Sequence, residues 1–263
     1  MRTGSQRTDR TPRLSVRLAR SDQEVLAAQR LRWLVFVEEQ GASIATPRPG
    51  YDIDDLDRHC EHLIAVDEHN GIVIGTYRLL TAEAARRAGG YYSEREFDMD
   101  GLKRPDVRLL ELGRSCVLAD YRTGGTIALL WSGLADFIVA TRHDALIGCA
   151  SIALGGNAAA GSRLAREVCQ NHCAPVDMLV TPRMALPYGD GSASEGVGPL
   201  PPLLKGYLRS GAVVCGEPCW DPDFDCADLL LHLALDRLVA RYARHFLPSP
   251  GDTVSSPCRM IAV

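Results

Sequence analysis

No stretch of this 263-residue chain stays apolar for the roughly 18 residues that a membrane-spanning helix needs, so no bilayer span is expected. The polar, basic start at 1–13 has no apolar h-region, which excludes a secretory signal there, and it reads as a disordered lead-in. A net charge of −4 argues against a general nucleic-acid binder. Basic clusters at 2–20 and 237–244 are left as either solvated faces or contacts to an acidic partner or anionic membrane. The nine cysteines are odd in number and lack paired CxxC spacing, so they read as reduced thiols, and no metal site is expected. Internal repeats and a clear inter-domain linker are also missing.

What is present is a folding composition: 46% hydrophobic and 24% charged residues. The stretch 109–131, LLELGRSCVLADYRTGGTIALLW, organises the rest. It starts as an apolar strand over 109–117, crosses a turn at 120–125 and opens a helix over 126–142. Ile127, Leu130, Trp131, Leu134 and Ile138 recur on one face of that helix, which predicts a buried stripe.

Before it, 14–18 suits a first strand. Asp22 caps a helix running to about Val37, and 38–60 is a loop with Asp52, Asp54, Asp55 and Asp57. A hairpin follows at 61–67 and 72–80, then a helix from 81 that ends at a glycine pair, and a surface segment at 91–105. After it come a buried strand at 145–150, a helix at 157–169 and a Pro- and Gly-rich loop at 182–203. A short helix at 203–209, a strand at 212–216 and an apolar run at 227–233 that fits strand or helix, with strand preferred, lead to a closing helix at 235–246. The expected class is α+β, one domain over 14–247 with a loose tail at 248–263.

Some residues stand out on physical grounds. Glu111 and Arg78 sit in apolar strands, where an unpaired charge is expensive. Arg78 is open to two roles: a fork for a substrate carboxylate, or a pair with the acidic loop. Glu111 is either a general base or a structural partner of Arg114. Positions i and i+3 point to opposite faces of a strand, so a direct Glu111–Arg114 pair needs a bulge. Arg32 and Phe36 lie one helical turn apart. Arg122, Thr123, Gly124 and Gly125 precede a helix N-terminus, where free amides and the macrodipole favour phosphate; an ordinary bend explains them equally well. The P-loop pattern is absent. Cys116, Trp33 and Trp131 read as core.

The segments LRWLVFVEEQG, DIDDLDRHCEHLIAVD, IVIGTYRLL and LELGRSCVLADYRTG together resemble the GNAT N-acyltransferases that use acyl carrier protein, in particular the L-ornithine Nα-acyltransferases. The likeness runs from about residue 14 to 247. It is weaker toward acyl-homoserine-lactone synthases, which share the Arg32–Phe36 pair, the acidic loop, Arg78 and the Glu111–Arg114 pair.

The resemblance implies a GNAT-like, mixed but mostly antiparallel central sheet flanked by helices. It implies transfer of a (3-hydroxy)acyl group from acyl carrier protein to the α-amine of ornithine by direct attack. On this reading Glu111 and Arg114 are catalytic, while Arg32, Phe36, Asp52, Asp55 and Arg78 hold the substrate. Arg122, Thr123, Gly124 and Gly125 meet the carrier's phosphopantetheine arm. No cofactor is expected beyond the acyl donor, with coenzyme A as the alternative donor. The usual GNAT phosphate loop has Gly or Ala where this chain has Ile127, which weakens the case for coenzyme A. Expected partners are acyl carrier protein, the amine and transient membrane-surface contact, in a cytoplasmic protein. A different amine acceptor and a non-catalytic carrier-binding role stay open as competing readings.

Overall fold

The structure is a computed structural model that describes residues 13–155, 158–187 and 199–237. In chain order its elements are β1 (Leu14–Leu18), α1 (Asp22–Trp33), β2 (Glu61–Asp67), β3 (Ile72–Thr81), α2 (Ala82–Ala88) and β4 (Phe97–Asp98). Then follow β5 (Leu109–Val117), α3 (Gly124–Thr141), β6 (Ala145–Ala153), α4 (Ala158–Asn171) and β7 (Thr181–Pro182). The last are α5 (Pro202–Arg209), β8 (Val213–Val214), β9 (Cys219–Asp221) and β10 (Cys226–Ala234).

The main sheet runs β1-β2-β3-β5-β6-β10-β8, with β9 on the end of β10, while β4 and β7 form a separate small ribbon. Every paired strand in the main sheet is antiparallel except β5 and β6. The α3 crossover lets those two run parallel. This is the mixed, mostly antiparallel sheet expected from the sequence.

Alternation along the strands sorts the core onto two faces. Leu80 and Leu109 pack with Ala84 and Ala85 of α2, whereas their neighbours Leu79 and Leu110 pack with Leu130 and Leu134 of α3. Ala28 and Leu31 of α1 cover Ile64, Val66 and Cys116 on the α2 side. Leu164 of α4 and Leu204 of α5 cover Ala150 and Leu229 on the α3 side.

Sequence expectation and structure part company in a few places. Ser21, not Asp22, caps α1, its Oγ accepting the Glu24 amide at 3.3 Å. Beyond Trp33 the helix widens into a π-helical turn at Leu34–Glu39. Ile127 is exposed at the first turn of α3, while Leu130, Leu134 and Ile138 are buried as the stripe predicts. The segment 91–105 is not a surface segment, because Phe97 and Met99 are fully enclosed. Only Val213–Val214 of 212–216 pairs as strand. The predicted closing helix opens as a 3-10 turn at Leu235–Arg237 and otherwise lies outside the described residues, as does Asn157.

Gly124–Thr141 is 18 residues long and apolar enough to cross a bilayer by length and composition, contrary to the reading of the sequence. In the fold it is a core helix lying across β1, β2 and β3. Gly133 makes this possible, since a Cβ there would come within 2.6 Å of Val16 Cγ2.

The feature that positions the site is where β5 and β6 part. Each is nine residues long, yet they pair only from Leu109–Ala145 to Glu111–Ile147. Opposite, β5 bulges against β3: Arg78 faces Gly113, Thr76 faces Cys116, and Arg114 takes a left-handed φ of 49°. At the fork, a Cβ on Gly148 would sit inside the van der Waals envelope of the Leu112 carbonyl oxygen. Gly148→Ala is therefore expected to force the strands apart and lower stability by about 1–3 kcal/mol, read from the urea midpoint.

Candidate active site

The fork between β5 and β6 opens into a cavity of about 550 Å³, within the range of small-molecule sites. The two faces of the sheet give it two halves. On the α3 side its wall is apolar: Tyr77, Leu112, Leu146, Leu203, Tyr207, Leu231 and Leu233. On the α2 side it is polar: Arg78, Tyr92, Glu111, Cys149, Ser151 and Asp228. Register explains the second set, because Ser151 lies opposite Asp228 on β6 and β10, and Leu80 opposite Glu111 on β3 and β5. Phe36 and Phe224, edge to face at 5.7 Å, stand in the same wall.

Glu111 is fully buried and held by three donors. The Tyr92 amide reaches Oε2 at 2.7 Å, and the Ser93 amide and hydroxyl reach Oε1 at 2.8 and 2.5 Å. Burial pushes its carboxyl above the ordinary glutamate range, while the Ser93 and Tyr92 donors work in the opposite direction. The bulge needed for a Glu111–Arg114 pair exists, but it turns Arg114 elsewhere. The Arg114 guanidinium carbon lies 4.8 Å from the Tyr92 ring centre and 5.0 Å from that of Phe224. Its Nε donates to Asp52 Oδ2 at 3.1 Å.

A chain of alternating charges sits behind this wall. Arg32 donates to both oxygens of Asp57 at 2.9 and 2.7 Å and forms an ion pair with Asp52 at 2.9 Å. Arg78 donates through Nη1 to Asp54 at 2.6 Å and to Asp57 at 3.2 Å. Burial opposes ionisation of Asp57, but the Arg32 bonds and the Arg32 and Arg78 charges outweigh it and hold the carboxyl below its usual range.

Of the residues singled out from the sequence, Glu111, Arg114, Arg78 and Phe36 therefore converge on one cavity. Arg32 and Asp52 lie behind it in the ion network, and neither lines it. Asp55 is exposed and pairs with Arg95 at 2.8 Å. The 122–125 turn also lies outside the cavity lining. Arg122 pairs with Glu39 and donates to the Val117 carbonyl at 2.9 Å, and Thr123 Oγ1 caps α3 through the Thr126 amide at 3.3 Å.

Glu96, Asp221 and Asp228 belong to the site region and escaped sequence reasoning. Asp228 carried a usable signal: like Glu111, it is a charge inside an apolar strand, CADLLLHLA.

The thiols nearest the site, Cys116 and Cys149, are disfavoured as nucleophiles by burial. Burial pushes Cys116 up to about 12 and raises Cys149 well above its ordinary value. The described cysteines are all free.

An acetyltransferase (GNAT) domain model matches residues 31–132. The L-ornithine N(alpha)-acyltransferase of Agrobacterium fabrum is 36% identical over 89% of this chain and 85% of its own. The enzymes of that name from Rhizobium meliloti and Brucella abortus are 37% and 38% identical over 94% and 89% of the chain, and over 88% of their own lengths. The chain belongs to the L-ornithine Nα-acyltransferase family. It is by that membership an N-acyltransferase with a GNAT-like fold.

Among solved structures, the AHL synthase LasI superposes with a TM-score of 0.54 at 14% identity, over 94% of this chain and 100% of its own. FeeM, an N-acyl amino acid synthase from uncultured soil microbes, gives 0.51 at 12%, over 86% and 92%. At these identities the likeness is one of fold. In this member of the family, then, the parted parallel pair carries an apolar recess on one face of the sheet and an ionisable wall on the other.

Proposed function

We propose that this chain moves a fatty acyl group from a carrier-borne thioester to the α-amine of ornithine, forming an N-acyl amino acid. The observation that carries this reading is the two-sided cavity at the β5–β6 fork. An acyl chain seeks the apolar half, a charged amino acid the polar half, and the two meet where the strands separate. The names of the relatives support ornithine as the amine.

Neutral amine must attack the thioester carbonyl. An α-ammonium has a pKa of about 8 or higher, so a base has to remove its proton. In this reading Glu111 takes it, directly or through a water. The N–C bond forms, a tetrahedral oxyanion develops, and its collapse breaks the C–S bond. The carrier thiolate leaves and regains a proton. Arg114 and Arg78 supply positive charge to this wall, for the substrate carboxylate and the developing oxyanion. Among the described residues the β5 edge facing β6 has no strand partner beyond Glu111, and it suits the amides of a pantetheine arm. The carrier's phosphodiester is placed at the α3 N-terminus, beside Arg122, Gly124 and Gly125. Acyl carrier protein is the proposed donor, with coenzyme A as the alternative.

The test is thiol release from 3-hydroxyacyl carrier thioester with a panel of amines. Release with ornithine and not with other amines supports the reading; release with a different amine reassigns the acceptor, and carrier binding without release makes the protein a binder. The apolar half has its own test. Leu203 is half-buried on the cavity wall. Leu203→Trp is expected to lower kcat/KM for long acyl donors by on the order of 10-fold or more while sparing short ones, since bulk there shortens the recess. Equal losses at all lengths would place the chain elsewhere.

A further inference from the structure

The polar half of the cavity ends in a group that the acyl-transfer steps do not use. Glu96, Cys149 and Asp228 place ligand atoms within 4.8 Å of one another, and so do Asp221, Cys226 and Asp228. Asp228 and Cys149 line the cavity from neighbouring strands, Asp221 lines it from the end of β9 beside them, and Glu96 lies behind Cys149 and Asp228 without lining it. The Glu96 side chain is the decisive member. The residue is only 9% exposed, it sits against Cys149 and Asp228, and among the described residues neither of its carboxylate oxygens receives a hydrogen bond from outside this cluster. Asp221 uses Oδ1 for the amides of Asp223 and Phe224 at 2.9 and 3.1 Å. Among the described residues no ion pair reaches any of the three acids, and the cation that influences Asp228, Arg114, is already bound to Asp52. Three enclosed carboxyls without a countercharge are costly unless a cation arrives.

We propose that Glu96, Asp221 and Asp228 form the receptor for the second, side-chain ammonium of the acceptor amino acid, and so select a diamino acid over a monoamino acid. The inference rests on the acyltransferase reading above and deepens it. The cluster shares the sheet face with Glu111, so an acceptor lying along that face presents one amine at the fork and the other to the acids. Its carboxylate then meets Arg78 or Arg114. Burial raises both carboxyls; repulsion from Asp228 raises Glu96 further, whereas the Ser151, Glu96 and Cys226 contacts work against burial at Asp228. Burial and Asp228 act likewise on Asp221. The neighbouring titratable groups, Tyr92, Cys149, Cys219 and Cys226, add no positive charge. Glu96, pushed up to about 9, therefore holds a proton that an arriving ammonium displaces.

The experiment compares ornithine with norvaline, the same skeleton without the terminal amine, in the full chain with a carrier thioester. Asp228→Asn and Glu96→Gln are each expected to lower the ornithine-to-norvaline ratio of kcat/KM by roughly 30-fold or more, the loss of one partner of a buried charge pair. A ratio that stays put while both rates fall overturns the proposal and leaves the acyltransferase reading intact. No turnover of ornithine by the unaltered protein overturns that reading and this one with it. Calorimetry on the unaltered protein, in buffers of different ionisation enthalpy, gives a check free of folding effects. Ornithine binding should release more protons than norvaline binding, and equal release overturns the proposal. So does a stoichiometric metal found by mass spectrometry in the purified protein and lost from both variants, which would make the cluster a metal site.

Discussion

Replacing Glu111 by Gln is expected to lower kcat by roughly 100- to 10,000-fold, the range for removing a general base, with the KM for the acyl carrier changing only a few-fold. The substitution keeps the shape of the side chain. Its one carbonyl can still accept from the Ser93 amide and hydroxyl, while its NH2 then faces the Tyr92 amide and loses that bond, so a urea midpoint is measured beside the kinetics. What it loses is the ability to take a proton from the attacking amine.

The pH profile gives a second readout. Burial raises the Glu111 carboxyl, so its base form disappears as pH falls through a value above the ordinary glutamate pKa of about 4.3. The unaltered protein should show an acid limb in kcat/KM from this group, and Glu111→Gln should lack it. A variant with full turnover would remove Glu111 as the base and return it to a structural role, pinning the 92–93 turn against β5.

Arg32→Met is the expected large effect on stability. Arg32 is completely buried and binds Asp57 through two hydrogen bonds while pairing with Asp52. Removing it takes one of two cations from each of two enclosed carboxylates, leaving Arg78 on Asp57 at 3.2 Å and Arg114 on Asp52 at 3.1 Å, a loss of about 3–5 kcal/mol that urea unfolding measures directly. The sign of the pH dependence follows from Asp57. Its folded pKa lies below the unfolded one, so its contribution is present above about pH 4 and is lost as pH falls through the folded value. The variant should therefore be flatter than the unaltered protein on the acid side. Because Arg32 does not line the cavity, kcat/KM of the folded variant should stay within a few-fold. A large activity loss at unchanged stability would instead support the substrate-holding role that the family resemblance suggests for Arg32.

The contrast between Arg32 and Glu111 shows what kind of information a sequence carries. Glu111 stands out as a charge among apolar strand neighbours, Arg32 only through its one-turn spacing from Phe36 and the family resemblance. One faces the cavity at the fork; the other lies behind it in a closed ion network. The difference depends on which partner the fold brings up, and the partners lie far away in sequence: Asp57 for Arg32, Ser93 for Glu111. Glu96 escaped notice for the same reason. Its segment, 91–105, has the polar look of a surface loop, and only its packing against β5 and β6 encloses Phe97 and Met99 beside it.

By itself the sequence determined the long strands and helices, because their apolar periods of 2 and 3.6 residues are local properties; the short strands β4, β7 and β9 carry no such period. It also determined the family, through segments spread over most of the chain. Tertiary structure alone decided where β5 leaves β6, which way the Arg114 bulge turns, and which acids end up without a cation. Those outcomes follow from contacts between residues tens of positions apart, whose energies depend on burial and geometry that no local pattern encodes.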